Sequence, residues 1–528
     1  MRIGIISVFT DYHRRGAHHR GALQPQIGPL IAALLPAHVE IEVINDTWED
    51  PDWSRDYDLL FLSCMHSDFD RARQISHYFR RRGAKTVLGG IMASTYPALV
   101  QPYFDTIVVG DPEATVPALF RDFEAGRLQA LYRSNGYRAE LVPTPRLDLV
   151  ATKARVPLGF EVTRGCPFAC DFCALTGLGT RFETRPLPNV LRDIRAGRNL
   201  VAANLDRLRR NVVMFYDNNL GGSPAYLRRF CAMIAPLGLR WASCVTFNII
   251  ANRELVRCMA RAGCRSLFVG LESFNAATLA DMAKPQNIAS KMRAALADCR
   301  DQGILVMAGL MVSPITDDCE YIESIPMQVR EIGLHVPSFV SFETPIPGTP
   351  FFHRLAAAQT PAFMPNALLR DFSGYTLTVK PERASAAAFV DAYVRTLRQL
   401  YRPANRVRKL ADDLPRLIRS GSWLAAGVDI ADQIEARFDP AAGRSFIAGT
   451  DLAPPEHVPL TEADFRSIDE MTRIMEPWAL SDEHGRVLPQ WLGAVPAVTA
   501  RRVGSRVANK SSAPSDSIEP QAIPVTAG

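Results

Sequence analysis

Residues 163–175 read TRGCPFACDFCAL, which sets Cys166, Cys170 and Cys173 with three and then two residues between them. In a chain of 528 residues with 10 cysteines, that spacing arises by chance in roughly 0.4% of sequences. The apolar run Leu158–Thr163 reads as a strand, so the triad follows the carboxyl end of a strand. Gly165 and Pro167 fit a loop that folds back on itself. Three thiolates complete neither a four-coordinate structural zinc site nor a four-cysteine iron–sulfur cluster. On a 4Fe–4S cluster they would leave one iron open, as a catalytic metal requires. The alternatives are inert thiols, or three zinc ligands with a fourth elsewhere. Cys64, Cys231, Cys244, Cys258, Cys264, Cys299 and Cys319 have no such spacing and read mostly as small core residues.

Moving toward the C-terminus, strand patterns recur at Val212–Asp217, Trp241–Phe247, Ser266–Leu271, Ile304–Val312 and Ser338–Thr344. Helical stretches separate them, which predicts a partial or complete parallel barrel with its active site at the strand carboxyl ends. Moving toward the N-terminus, shorter runs at Ile3–Phe9, Val39–Ile44, Leu59–Ser63, Thr86–Leu88 and Thr106–Val109 alternate with helical patterns. That alternation predicts a doubly wound parallel sheet whose ligand also sits at the strand carboxyl ends. The expected organisation is an α/β domain at 1–125, a linker at 126–155, a barrel at 156–367, a mainly helical domain at 368–496 and a disordered tail at 497–528. The helical domain begins with Phe389, Tyr393, Leu397 and Leu400 on one face.

Composition excludes several function classes. No apolar run approaches the roughly 20 residues that span a bilayer, and the N-terminal apolar run is too short for a signal peptide. A cytoplasmic protein is expected. The net charge of +5, from 60 basic and 55 acidic residues, is spread along the chain. Clusters such as Arg207, Arg209 and Arg210 read as solvated helix faces, so no nucleic-acid partner is expected.

The cysteine spacing, with Phe172 just before the last cysteine, resembles the signature of the radical S-adenosylmethionine (radical SAM) superfamily. Three further islands extend the resemblance: VVMFYDNNL at 212–220, FVGLESFNAATLADMAKPQN at 268–287 and ETPIPGTPFF at 343–352. The resemblance implies that Cys166, Cys170 and Cys173 hold a 4Fe–4S cluster whose open iron chelates S-adenosylmethionine. Reductive cleavage of that cofactor then yields a 5′-deoxyadenosyl radical. By position, Phe172 should flank the adenine, and Glu272 should accept from the ribose hydroxyls or the amino group. The alternative for Glu272 is a capping or salt-bridged acid. Asp217 and Asn218 could line the pocket, and Gly348 would let backbone approach the adenine or merely close a turn. One stretch departs from the family: MAGLMVSPITDD at 307–318 has Pro314 where related chains carry glycines and an acid.

The N-terminal half resembles the cobalamin-binding domain of the cobalamin-dependent radical SAM branch, through QPQIGPLIAALL at 24–35, SCMHSDFDRA at 63–72, LGGIMASTYP at 88–97 and VVGDPEAT at 108–115. Gly89 and Gly90 would admit a flat corrin edge, or form a strand-to-helix turn; Ser63 and His66, in the third-strand loop, are candidate corrin contacts as well. Asp11, His13 and Gly16 match a pattern by which other cobalamin proteins supply an axial histidine, against the alternative of a solvent-facing loop residue. The resemblance implies a methyltransferase acting on an unactivated carbon of a small-molecule substrate, with a hopanoid-type lipid one candidate. An external electron donor, flavodoxin or ferredoxin, is implied too. The rivals are a cyclase or rearrangement enzyme of the anaerobic tetrapyrrole type, and a non-catalytic iron–sulfur or cobalamin sensor.

Overall fold

The run Leu59–Ser63 is apolar at four consecutive positions, and Leu59 through Leu62 are all buried. Burial on both faces is the mark of a central strand in a parallel sheet covered by helices. The computed structural model places it so. It describes residues 1–9, 26–46, 49, 51–154, 156, 158–203, 209–358, 360, 362–364, 367–419 and 479–480. Contacts join Met1–Val495 into one unit. His13, the tail at 497–528 and most of the expected helical domain beyond 419 lie outside the described residues.

The N-terminal elements run β1 (Arg2–Ser7), α1 (Ile27–Leu34), β2 (Glu40–Asn45), β3 (Leu59–Ser63), α2 (Phe69–Arg81), β4 (Lys85–Gly89), α3 (Gly90–Thr95), α4 (Pro97–Val100), β5 (Thr106–Val109), α5 (Pro112–Glu124) and β6 (Leu131–Arg133). The strands are parallel in the order β2-β1-β3-β4-β5-β6. The chain therefore reverses direction across the sheet between β1 and β3, where doubly wound folds open a ligand crevice. One face packs Ile3, Ile5, Leu59, Phe61 and Val87 against α1 and α5; the other packs Ile6, Leu60, Leu62 and Leu88 against Phe69, Ile75 and Phe79 of α2. Within the stretch expected to be a linker, β6 adds a sixth strand beside β5. Its Leu131 and Arg133 are exposed and Tyr132 half-buried, so an edge strand formed without the apolar pattern that would announce it.

The second sheet begins with β7 (Leu158–Phe160) and the short β8 (Thr163–Arg164), followed by α6 (Ala174–Gly177), β9 (Glu183–Thr184) and α7 (Leu187–Leu200). Then come β10 (Val212–Phe215), α8 (Pro224–Ile234), β11 (Arg240–Val245), α9 (Phe247–Ile250), α10 (Arg253–Arg261) and β12 (Cys264–Glu272). The block closes with α11 (Ala276–Asp281), α12 (Met292–Asp301), β13 (Leu305–Val312), α13 (Cys319–Glu331), β14 (Phe339–Phe342) and α14 (Pro350–Ala356). Six parallel strands in the order β7-β10-β11-β12-β13-β14 make the partial barrel that the alternation predicts. Two strands end earlier than their apolar runs. Thr163 and Arg164 leave the sheet to pair antiparallel with β9, and Thr246 donates its N–H to Asn219 Oδ1 (3.3 Å) as α9 begins.

Helix α15 (Ala386–Leu400) buries Phe389, Tyr393, Leu397 and Leu400 in the barrel's core, and α16 (Pro403–Arg419) follows it. The two sheets are not independent bodies. Phe352, Ala367, Leu369 and Phe372, which follow the last barrel strand, share a core with Leu60, Phe69, Met92 and Tyr96 of the N-terminal domain. No helix among the described residues is long and apolar enough to cross a membrane.

Candidate active site

The cysteine loop leaves β8 at the carboxyl edge of the barrel and is pinned on several sides. Asp217, at the end of β10, points back under it. Its Oδ1 accepts from Val162 N (3.2 Å), from the Thr163 hydroxyl (2.7 Å) and from Thr163 N. The other oxygen, Oδ2, is buried without a partner, and burial pushes this carboxyl up to about 7 against the donors from Thr163. Asp217 thus shapes the loop from within through one oxygen and leaves the other free of any partner. Asn218 Oδ1 accepts from Gly165 N (3.2 Å), and Gly165 has φ +80° with the Arg181 carbonyl only 2.1 Å from where a Cβ would stand. The far end of the loop is tied by Asp171 N to Met282 O (3.3 Å) and by Phe351 N to Asp171 O (3.0 Å).

All three thiols are free, with Cys170 buried and Cys166 and Cys173 half-buried. Among the described residues no three ligating side chains gather about one point, as a mononuclear ion would need. The surroundings suit an anionic group held by the thiolates of a single loop. Asn219 Nδ2 lies 3.6 Å from Cys166 Sγ, and Gln286 Nε2 lies 3.5 Å from Cys170 Sγ. Burial pushes the Cys170 thiol up to about 11 while the Lys284 ammonium pulls it back. Iron binding would supply the remaining stabilisation of the thiolate. Free thiols, two amide donors aimed at sulfur and a buried cation fit a cluster at this place.

Glu272 ends β12 with φ +61°, and Ala283 has φ +51°. Left-handed backbone at a non-glycine residue costs on the order of 1–2 kcal/mol, so two such residues mark a site the fold over-determines. Between them they set up a buried ion pair of Glu272 with Lys284, both about 6% exposed. Gly270 leaves room for it, since a Cβ there would fall 2.1 Å from Glu272 Oε1. Asn287 Nδ2 locks the strand end by donating to the carbonyls of Gly270 (2.9 Å) and Leu271 (2.8 Å). Glu272 is thus a salt-bridged acid at the strand's carboxyl end.

Phe172 lies 5.7 Å from Lys284 Nζ and packs against Phe351 and Leu355 of α14. Arg354 bridges Asp171 (2.8 Å) and Asp281 (2.7 Å), tying the cysteine loop to α11. Glu343, next after β14, accepts from Ser313 Oγ (2.5 Å) with its other oxygen unpartnered, and burial pushes it up to about 8.

The carboxyl edge of the N-terminal sheet faces the same seam. Gly348 has φ +89°, and a Cβ there would meet the Thr95 methyl at 2.5 Å, so the barrel's closing loop touches the end of α3. Arg164, two residues before Cys166, reaches across the domains. It pairs with Asp111 (2.6 Å) and Glu113 (2.7 Å) at the start of α5, and with Glu161 (2.8 Å) in its own domain. The Tyr137 ring covers the guanidinium at 4.1 Å. At the same edge Gly90 has φ +89°, and a Cβ would strike Ser63 Oγ (2.8 Å) and the Cys64 carbonyl (3.1 Å). Gly90 and Ser63 therefore fix the β3 and β4 loops to one another. Gly89 is different: among the described residues beyond its chain neighbours, nothing lies within 4 Å of its Cβ position. His66 is buried with neither ring nitrogen partnered.

Sequence reading missed Lys284, Gln286 and Asn287, although all three lie in the island 268–287. Their signal was a run of polar residues just after an apolar strand and helix. Arg164 and its partners gave none, since the acids come from some 50 residues upstream.

Known proteins place this geometry. The model of the radical SAM superfamily matches residues 160–325, the segment from β7 to α13. The chain is 26% identical to the bacteriochlorophyllide d C-8(2)-methyltransferase of Chlorobaculum tepidum over 335 residues, covering 61% of this chain and 74% of that one. It is 23% identical to the hopanoid C-2 methylase of Rhodopseudomonas palustris over 357 residues, covering 63% and 64%. Among solved structures, the cobalamin-dependent S-adenosylmethionine radical enzyme OxsB, with aqua-cobalamin and S-adenosylmethionine bound, shares the fold with a TM-score of 0.55 at 12% identity, covering 94% of this chain and 84% of that one. The protein is thus a radical SAM enzyme, built to use a 4Fe–4S cluster and S-adenosylmethionine. Its relatives include methyltransferases, and a cobalamin-dependent radical enzyme shares its fold.

Proposed function

We propose that this enzyme is a cobalamin-dependent C-methyltransferase acting on an unactivated carbon of a polycyclic small molecule, a tetrapyrrole or a hopanoid-type lipid. One observation carries the reading. A doubly wound domain with an open glycine at its carboxyl edge is sealed, in one chain, onto a partial barrel with three free thiols at its own carboxyl edge. The relatives named above, which methylate a bacteriochlorophyllide and a hopanoid, support both the reaction and the acceptor class.

When bound, the cluster and S-adenosylmethionine would supply a hydrogen-abstracting radical, and cobalamin the methyl group. The chain's own residues then have distinct tasks. Cys166, Cys170 and Cys173 ligate three irons. Gln286, Asn219 and Lys284 stabilise charge on the thiolates, as donors aimed at developing charge do elsewhere. Phe172 offers a flat face to the adenine. Arg164, Thr95 and Gly348 hold the two carboxyl edges in register, so that acceptor carbon and methyl donor meet without water. Reduction by a cytoplasmic flavodoxin or ferredoxin completes the scheme.

The test uses anaerobically reconstituted protein, S-adenosylmethionine with a deuterated methyl group, and bacteriochlorophyllide and hopanoid acceptors. One labelled methyl per 5′-deoxyadenosine is expected in product. Deoxyadenosine without methyl transfer would point to the cyclase or rearrangement reaction, and no deoxyadenosine at all to a sensor.

A further inference from the structure

His66 lies in the loop after β3, beside the β1–β3 reversal where a doubly wound sheet opens its ligand crevice. It is 2% exposed, and neither ring nitrogen has a hydrogen-bond partner. Burial alone pushes its pKa down to about 3, so the ring is neutral at any working pH. A neutral imidazole carries one N–H donor and one bare acceptor, and leaving each unmade inside a protein costs about 1–3 kcal/mol. A group so placed has to be accounted for, because native folds leave few of them.

The surroundings say what kind of group is missing. His66 meets the edge of Tyr96 at 6.1 Å, and Tyr96 adjoins Thr95, which touches the barrel's closing loop at Gly348. The histidine therefore stands at the seam between the two domains. The Gly90 contact with Ser63 and Cys64 holds its loop in place, and Gly89 leaves open space at the neighbouring strand end. Burial alone sets its shift, which suits a neutral ligand group. A metal ion would satisfy one nitrogen and strand the other, whereas metal-bound histidines hold their second nitrogen with a carboxylate, carbonyl or water. Primary amides fit, one at each nitrogen, since the carbonyl of one accepts from the N–H and the NH2 of another donates to the bare nitrogen. The rim of a corrin carries several such amides.

Resting on the cobalamin reading above, we propose that His66 grips side-chain amides of the corrin through both ring nitrogens and does not ligate cobalt. The role is that of a binding residue at the rim.

Two variants of the full-length protein test this. His66→Phe fills the space and removes both orphaned nitrogens; His66→Asn restores one donor and one acceptor. Each is titrated with hydroxocobalamin, followed by its visible spectrum, and the cob(II)alamin form of wild type is examined by electron paramagnetic resonance with and without 15N-histidine. The Phe variant is expected to melt no lower than wild type without cofactor, and to bind hydroxocobalamin at least tenfold more weakly. The Asn variant should recover part of that loss, and 15N-histidine should leave the cobalt spectrum unchanged. Unchanged affinity in both variants would overturn the proposal, as would a cobalt splitting that responds to 15N-histidine. Failure of wild type to bind cobalamin would overturn the cobalamin reading itself, an outcome neither of those results resembles.

Discussion

The carboxyl edges of the two parallel sheets differ in how their charges are held. At the barrel's edge the charges around the thiols are paired, although one oxygen each of Asp217 and Glu343 is left without a partner. Lys284 meets Glu272, Arg354 meets Asp171 and Asp281, and amide donors already point at two of the thiols. At the N-terminal edge Asp111 and Glu113 are spent on Arg164, while His66 has two unmade bonds and no described residue stands before Gly89. Under the proposed function, the difference teaches where each cofactor's binding strength would come from. A cluster held by covalent thiolate bonds needs a pre-formed cage around an anion. A corrin held by many weak rim contacts needs a surface with vacant donors and acceptors, whose cost is repaid on binding.

The contrast can be broken most severely at Lys284. Lys284→Met leaves the Glu272 carboxylate buried and alone beside its strained backbone, so stability should fall by about 3–5 kcal/mol. Urea unfolding measures this, and pairing the change with Glu272→Gln should return most of the loss. A drop under about 1 kcal/mol would mean that the pair is solvated and the cage is not closed. A smaller and sharper test sets the adjacent glycines against one another. Gly90→Ala must fit a side chain at φ +89° against Ser63 and Cys64, which should cost about 1–3 kcal/mol. Gly89→Ala enters empty space at ordinary φ and should change stability by no more than about 0.5 kcal/mol, while weakening hydroxocobalamin binding. Equal thermal shifts in the two variants would erase the distinction between a turn glycine and a cofactor-facing one.

The same division decides what could be read from the sequence. The barrel declared itself because one short loop carries all three thiols, and because strands buried on both faces leave continuous apolar runs such as Val212–Phe215. The N-terminal strands were legible for the same reason, and β3 lies where LLFLS predicts it. Strand β6 was not, because an exposed edge strand needs no apolar pattern. Individual roles were less legible than elements. Asp217 and Asn218 follow a strand toward the active-site face, as cofactor contacts do, yet both turn back onto the cysteine loop's backbone. Which way a side chain turns at a strand end depends on neighbours more than 50 residues away. Likewise the acids in VVGDPEAT, quoted for their likeness to a cobalamin domain, reach across to Arg164. His13 matched a known ligand pattern and lies outside the described residues, whereas His66, a candidate corrin contact only by its place in the third-strand loop, has both ring nitrogens without a partner.

The account turns on two cofactors at two separate edges of one chain. Its most direct test is the iron and cobalamin content of anaerobically reconstituted, desalted protein, beside a variant with Cys166, Cys170 and Cys173 all changed to Ala. Wild type should hold about four irons and about one cobalamin per chain, and the variant should lose the iron while keeping the cobalamin. A full cluster with no cobalamin in wild type would contradict the account, leaving the N-terminal domain a scaffold for a barrel that abstracts hydrogen without transferring methyl.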